Sequence, residues 1–189
     1  MLNIFKTTYR NLPDEALMHG IALRNERAFA ELYDRYSARM HRYFYRMLWR
    51  DDARAADFTQ ELFLKIIEKP QLYDPTRPFR TWLYALACNM CKNEYRRKKP
   101  EDIEWPATDP DAQEMYLPDD LDRRLFEASL REAVDALSAA HKQCFVLRYQ
   151  EELSIAEIAV IAECPEGTVK SRLHHALQRV SEKMTAFKY

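Results

Sequence analysis

The sequence contains very little glycine. Gly20 and Gly167 are the only two glycines among 189 residues. Phosphate-binding loops need several closely spaced glycines, because glycine alone adopts positive φ values without a steric cost. The sequence therefore disfavours a Walker-type loop and a glycine-rich dinucleotide turn, and with them the nucleotide-dependent enzyme folds.

Long apolar runs are absent as well. No run approaches the roughly 18 residues that a transmembrane helix needs. The N-terminal segment MLNIFKTTYRNLPDE lacks the apolar centre and the small-residue cleavage site of a signal peptide. We therefore expect no membrane insertion and a cytoplasmic location.

The residues that usually carry catalysis or bind metals show no suitable spacing. The five histidines form no H-E-x-x-H pattern, and there is no G-x-S-x-G. Cys88 and Cys91 form a C-x-x-C, but no second pair follows at ligand spacing, so buried thiols are favoured over zinc ligands. Cys144 and Cys164 are interpreted in the same way. The sequence predicts no catalytic residue, no metal, no cofactor and no small-molecule substrate.

Good helix formers and a segregated charge dominate what is present. Ala, Leu, Arg, Glu and Met are frequent, which favours an all-α class. Residues 100–122 hold nine acidic side chains and no basic one, although the net charge is only -1. That segment also contains four prolines and no apolar periodicity. We therefore predict two small helical domains, residues 10–99 and 121–189, joined by an acidic linker at 100–120.

The two predicted domains are basic once the linker is set aside. They hold nearly all of the 29 basic residues, and basic domains indicate nucleic acid as a partner. One predicted helix, beginning near Glu26, also carries a row of arginines at helical spacing. That row is either a solvated face or a surface for phosphates or an acidic protein. Its members are Arg35, Arg39, Arg42, Arg46 and Arg50.

Four helices are predicted in the first domain. The first begins at Asp14 and ends near Asn25, a residue type that can adopt the left-handed conformation. The others run from about Glu26, from Asp52 to Lys69, and from Phe79 to Lys99, after a loop fixed by two prolines. The last helix interleaves aromatic and basic side chains, a composition suited to unstacked bases and phosphates.

Four shorter helices are predicted in the second domain, with starts marked by Asp122, Ser138, Ser154 and Thr168. Ser154 and Glu157 match a capping box. A glycine turn at Gly167 and a last helix with Val169, Leu173, Leu177 and Val180 on its apolar side complete a helix-turn-helix. Side chains of this last helix are candidates for base and phosphate contacts in a major groove: Thr168, Lys170, Ser171, Arg172, His174, His175 and Arg179.

These motifs together resemble a known family. The first domain is similar to that of extracytoplasmic-function sigma factors in the patterns Asp14-x-x-Leu17, Ala28-Phe-x-x-Leu-Tyr33, Asp57-Phe-Thr-Gln-Glu-x-Phe63 and Phe79-x-Thr-Trp-Leu-Tyr84 with Asn89. The second domain resembles the family's promoter-recognition domain in Leu137-Ser138, Phe145-x-Leu-Arg-Tyr149, Leu153-Ser-x-x-Glu-Ile-Ala159 and Cys164-Pro-Glu-Gly-Thr-Val-Lys-Ser-Arg-Leu173. The resemblance covers nearly the whole chain outside the linker, in the expected order.

The resemblance implies specific partners. It implies core RNA polymerase, promoter DNA and an anti-sigma factor, with the linker threading near the polymerase active-site and RNA-exit channels. The last helix would read the minus-thirty-five element. Polymerase-contact candidates are Asp57, Gln60, Glu61 and Phe63. Candidates for capturing the melted minus-ten strand are Arg77, Phe79, Trp82, Tyr84, Asn89, Lys92, Asn93, Arg96 and Arg97.

Two other classes of function explain the sequence less completely. A conventional helix-turn-helix repressor or activator would leave the aromatic and basic helix after the proline loop unexplained, as well as the polar Asp57 surface. A metal-dependent hydrolase lacks its ligand spacing. The sequence therefore predicts a non-enzymatic initiation factor, and association with core polymerase separates it from a repressor.

Overall fold

The computed structural model describes residues 9–97 and 118–185, with side chains from residue 123 onward in the second range. The described residues form eight α-helices, one short 3-10 turn and no strand, which confirms the all-α class. The helices are α1 (Asp14–Ala22), α2 (Glu26–Met47), α3 (Asp52–Glu68), α4 (Phe79–Arg97), α5 (Pro118–Asp135), α6 (Ala139–Tyr149), α7 (Ile155–Ala162) and α8 (Glu166–Lys183), and the 3-10 turn is Pro70–Leu72.

The chain divides into two compact units, residues 1–103 and 104–189. The functional domain limits given above remain a prediction, because most of the acidic linker lies outside the described residues. Its last three residues already belong to α5, which begins at Pro118 rather than at Asp122. Proline suits the first helical position, since its missing N–H would have no partner there.

The first unit is built around α2. This helix buries one side, from Ala28 through Leu32 and Met40 to Met47, against its neighbours. The left-handed residue before it is Arg24 (φ 62°), not Asn25 as predicted. Asn25 is extended and caps α2 instead, because its side chain accepts hydrogen bonds from the backbone N–H groups of Arg27 (3.0 Å) and Ala28 (3.2 Å).

Buried aromatic rings and thiols fill the space between the helices of the first unit. Tyr43 and Tyr84 meet edge to face at 5.5 Å, and both are fully buried. The Tyr43 hydroxyl and the Cys88 thiol share a hydrogen bond at 3.0 Å. Cys88 and Cys91 are each 1% exposed, which confirms that they are core residues. Burial raises the pKa of Tyr43 well above its ordinary value, so its hydroxyl stays protonated.

The second unit packs α5, α6 and α7 around α8. Its apolar core includes Val134, Phe145, Ala176 and Val180. The capping box before α7 is confirmed, since the Glu157 carboxylate accepts from the Ser154 N–H (2.8 Å) and the Glu157 N–H donates to the Ser154 hydroxyl (3.2 Å).

The turn between α7 and α8 differs from the predicted glycine turn. The left-handed residue is Glu163 (φ 55°), and Pro165 is the residue before α8. Gly167 and Thr168 both lie inside the first turn of α8, so Thr168 does not cap it. The helix begins earlier than predicted, and the one carbonyl oxygen of Pro165 accepts from the N–H groups of both Thr168 (2.9 Å) and Val169 (3.2 Å).

Candidate nucleic-acid interface

The loop before α4 is ordered by its own hydrogen bonds. The Asp74 carboxylate accepts from the N–H (3.0 Å) and the hydroxyl (2.7 Å) of Thr76, and these bonds lower the pKa of Asp74. The Tyr73 hydroxyl donates to the Arg77 carbonyl oxygen at 2.7 Å. The Arg77 side chain is 65% exposed, and its Nε lies 3.5 Å from the Asp74 carboxylate.

Two of the predicted minus-ten contacts lie in the core of the first unit. Phe79 and Tyr84 are both fully buried, so neither ring is available to a base in this structure. Phe79 packs edge to face against Tyr36 (5.4 Å) and Tyr73 (5.8 Å). Their burial has a simple cause: α4 contacts α1, α2 and α3, so large apolar side chains on several sides of it enter the core.

The other candidates on α4 remain accessible. Asn89, Asn93 and Arg96 are exposed at helical spacing, so they lie on one face of α4. Arg97 is exposed next to them, while Lys92 and Trp82 are half-buried. The indole of Trp82 packs against Tyr73 at 5.2 Å, so it lies at the loop end of this face. We call Arg77, Trp82, Asn89, Lys92, Asn93, Arg96 and Arg97 the strand face.

A buried ion pair supports the far end of the strand face. Glu94 is only 3% exposed, and its carboxylate binds the Arg54 guanidinium from α3. Arg97 approaches the same carboxylate at 3.9 Å. Sequence reasoning missed this role of Glu94, because no local pattern links residues 54 and 94. The pair connects α3 to the last turns of α4, which carry the exposed cations.

Three of the four polymerase-contact candidates lie at the surface of α3. Asp57, Gln60 and Glu61 are exposed. The fourth polymerase-contact candidate, Phe63, is a core residue instead, since it is 2% exposed and packs against Tyr33 with ring centroids 4.8 Å apart. An apolar side chain that sequence reasoning missed, Leu64, is 54% exposed on this helix.

The arginine row on α2 is not uniform. Arg35 donates to the carboxylates of Asp14 (2.7 Å) and Glu31 (2.9 Å) and to the carbonyl oxygens of Tyr9 and Arg10. It therefore holds the segment before α1 against α2, and its guanidinium is occupied within the unit. This member of the row serves the fold, whereas Arg42 in the same row is exposed.

The second unit exposes the polar side of α8. Lys170, Ser171, His174, His175 and Arg179 are exposed, while Val169, Leu173, Ala176 and Val180 are buried beneath them. Leu177 is wrong as a core residue, because it is 44% exposed and Ala176 takes the buried position. Thr168 and Arg172 are half-buried, and Arg172 directs one N–H to the Cys164 sulfur at 3.6 Å.

A histidine from α6 joins this surface, and sequence reasoning missed it. The His141 ring meets the His175 ring edge to face at 6.2 Å, and His141 Nδ1 shares a hydrogen bond with the Ser138 hydroxyl at 2.6 Å. Partial burial lowers the pKa of His141, and the charges of His175, Arg179 and Arg172 lower it further. His141 is 34 positions from His175, a separation that no periodicity can reveal.

Comparisons with known proteins agree with this arrangement. The family model for Sigma-70 region 2 matches residues 32–101, and the model for Sigma-70, region 4 matches residues 127–180. The ECF RNA polymerase sigma factor SigL of Mycobacterium tuberculosis is 33% identical, covering 86% of this chain and 92% of the relative. SigW of Bacillus subtilis, also an ECF sigma factor, is 31% identical over 83% of this chain and 89% of the relative.

A solved structure shows the same fold. The sigma factor RpoE of Bartonella quintana, determined with the anti-sigma factor NepR, has a TM-score of 0.68 and 18% identity, covering 85% of this chain and 98% of that one.

A helical region-2 module followed by a region-4 helix-turn-helix defines a sigma-70-type transcription initiation factor. More specifically, the chain belongs to the family of ECF RNA polymerase sigma factors. It acts with RNA polymerase and promoter DNA in promoter-specific initiation of transcription. Within the described ranges, no helix is both long and apolar enough to cross a membrane.

Proposed function

We propose a division of labour between the surfaces described above. The exposed polar residues of α3 dock on core polymerase, α8 reads the minus-thirty-five element as duplex, and the strand face captures the melted minus-ten strand. One observation carries the proposal: α4 and α8 are each anchored by buried apolar side chains and each expose amide, basic or imidazole side chains at helical spacing. Such faces bind nucleic acid through phosphate, base-edge and stacking contacts.

The chain itself is not an enzyme in this proposal. Residues 10–99 dock on polymerase and capture DNA, residues 121–189 bind duplex DNA, and residues 100–120 connect them. Nucleotide addition stays with polymerase. The described residues contain no grouping of three His, Cys, Asp or Glu side chains suited to a metal ion. We place the protein in the cytoplasm, where polymerase and DNA meet.

An anti-sigma factor is the third proposed partner. The solved RpoE was determined with the anti-sigma factor NepR, and this chain has the same fold over most of its length. Such a partner would keep the sigma factor from polymerase until a signal releases it. Co-purification of an anti-sigma candidate with the full chain, and its displacement by core polymerase, would test this.

Run-off transcription tests the function as a whole. Core polymerase with and without the full chain is supplied with a library of promoter fragments. We expect specific transcripts only when the chain is present. A chain that fails to bind core polymerase, or that binds it without conferring start-site selectivity, would refute the proposal.

The role of α8 is tested by Arg172→Ala, with Lys170→Ala as a partner variant. Each loss of a phosphate contact should lower the slope of log affinity against log salt by about 1, whereas loss of a base contact should relax sequence preference. Duplex binding measured at several salt concentrations separates these cases. Unchanged affinity in both variants would remove α8 from the interface.

Asn89→Ala tests the strand face. We expect it to reduce open-complex formation more than closed-complex binding, because Asn89 meets DNA only after the strands separate. Permanganate reactivity of the melted bases measures opening. Asn11→Ala, the same chemical change at an exposed position outside α4, is the control. Normal melting by the Asn89 variant would withdraw this residue from the strand face.

A further inference from the structure

The residue before α4 is a proline, which cannot cap the helix with its side chain. Phe79 is the first residue of the helix and follows Pro78 directly. An α-helix leaves its first backbone N–H groups without partners inside the helix. A proline side chain has no acceptor atom, so Pro78 cannot bind them through its side chain. The Pro78 carbonyl accepts from the Trp82 N–H, one turn later (3.3 Å).

A carboxylate from a distant helix fills this gap. Glu15, in the first turn of α1, accepts a hydrogen bond from the Phe79 N–H at 3.1 Å, across 64 positions of sequence. A negative charge at a helix N-terminus also interacts favourably with the helix dipole. Glu15 therefore performs from another helix the task that an N-cap residue usually performs from within the same segment.

The neighbouring residue holds Glu15 in place. Asp14 binds the guanidinium of Arg35 (2.7 Å) and accepts from the Tyr36 hydroxyl (2.5 Å), both on α2. The Tyr36 ring in turn packs against Phe79. The first turn of α1 is thus fixed to α2, and α2 contacts the same residue whose N–H Glu15 binds.

The same carboxylate faces the loop that leads into the strand face. Tyr73 packs against Phe79 and Trp82, and its hydroxyl binds the Arg77 carbonyl. Burial raises the pKa of Tyr73 to about 12, and the charges of Glu15 and Asp14 contribute to that rise. Glu15 therefore lies beside the junction at which the loop ends and α4 begins.

We propose that Glu15 is a positioning residue for strand capture. It fixes the junction between the loop and α4, and so sets the placement of Arg77 and Trp82 on the strand face without itself binding DNA. This inference rests on the proposed function of the strand face. It adds a residue of α1, outside the strand face, to the elements that promoter opening requires.

The charge of Glu15 makes the proposal testable against simple electrostatics. Removing a negative charge near a DNA-binding surface should by itself strengthen binding to DNA, since the phosphates are anionic. A positioning role predicts the opposite for Glu15→Ala, which removes both the charge and the acceptor. Glu15→Gln removes the same charge but keeps a carbonyl oxygen for the Phe79 N–H. The pair therefore separates charge from hydrogen bonding.

The experiment uses the full chain bound to core polymerase on a promoter that the wild-type protein opens. Glu15→Ala, Glu15→Gln and the control Asp34→Ala, an exposed acidic residue on α2, are compared. Permanganate reactivity reports opening, filter binding reports the closed complex, and thermal unfolding reports folding. We expect Glu15→Ala to lower opening about fivefold, the equilibrium factor that corresponds to the roughly 1 kcal/mol of helix stability usually lost with a cap. Opening by Glu15→Gln should stay within about twofold of the wild-type level. Opening by the control Asp34→Ala should equal the wild-type level.

Several results would overturn the inference. Opening by Glu15→Ala at the wild-type level would do so, as would a closed-complex affinity reduced in the same proportion as opening. Equal losses in Glu15→Gln and Glu15→Ala would show that the charge matters and the hydrogen bond does not. If the wild-type holoenzyme melts no promoter at all, the proposed function fails first, and that result is distinct from a failure confined to the Glu15 variants.

Discussion

Gly20→Ala should drive apart the two helices that hold Glu15 in place. A Cβ atom built on Gly20 in α1 would lie 2.8 Å from the Cβ of Ala28 in α2, where ordinary contact is 3.4–4 Å. The atom it meets is the first carbon of a short side chain, so no flexible group can turn aside. The backbones of α1 and α2 have to separate instead.

The expected cost follows from two opposing terms. Overpacking a tight contact costs about 1–3 kcal/mol, while replacing glycine by alanine inside a helix gains about 1 kcal/mol. We therefore expect Gly20→Ala to destabilise the first unit by about 1 kcal/mol. In an Ala28→Gly background the clash is absent, and the same substitution should become stabilising.

A double-mutant cycle measures the clash directly. Urea unfolding of the four proteins, followed by the amide NMR signals of α1 and α2, gives the free energy of unfolding of the first unit separately from the second. The coupling between positions 20 and 28 should be about 1–3 kcal/mol. A coupling below about 0.5 kcal/mol, the usual error of additivity, would refute the close approach of the two helices.

Four further predictions concern stability. Gly167→Ala should raise the free energy of unfolding of the second unit by up to about 1 kcal/mol, because its Cβ would meet no atom within 4 Å; a loss in urea unfolding would contradict this. Glu163→Gly should raise the free energy of unfolding of the second unit by about 0.5–1 kcal/mol, because glycine adopts the left-handed conformation without strain. A lower melting temperature would disprove this prediction. Arg54→Ala should cost about 3 kcal/mol and more than Glu94→Ala, since it leaves a buried carboxylate with the longer contact to Arg97 (3.9 Å) while Arg54 itself is 31% exposed; the reverse order would count against the pair. The lowered pKa of His141 means that the unfolded chain binds protons more readily, so stability should fall as pH drops below about 6.5; His141→Gln should flatten this dependence in melting curves, and an unaltered pH profile would exclude His141 as the cause.

Local sequence patterns were sufficient to predict that the helices exist and that one of them begins with a capping box. Ser154 and Glu157 are three residues apart, and the interaction that joins them is local, so the start of α7 could be read directly. The position of α8 was harder to predict. Because glycine usually marks a turn, the sequence predicts that α8 starts at Thr168, just after Gly167. In the structure Gly167 is helical, and Glu163 adopts the left-handed conformation instead. A glycine-poor chain has to place other residue types at such positions.

Burial within the candidate site could not be read from periodicity. α4 has three neighbouring helices, so Phe79 and Tyr84 are both buried although they are five positions apart. A helix covered on several sides does not show a single apolar stripe. The contact between His141 and His175 joins different helices over a long separation, and only the folded chain brings the two residues together.

The bond between Glu15 and Phe79 also has a consequence for the order of folding. A cap supplied by adjacent residues forms as soon as its helix does. The cap from Glu15 forms only after two residues 64 positions apart have been brought together, which closes a long loop. The beginning of α4 should consequently become structured late. The Phe79 amide proton would then exchange with solvent whenever α1 detaches, and so would report the assembly of the whole first unit rather than the state of a single helix.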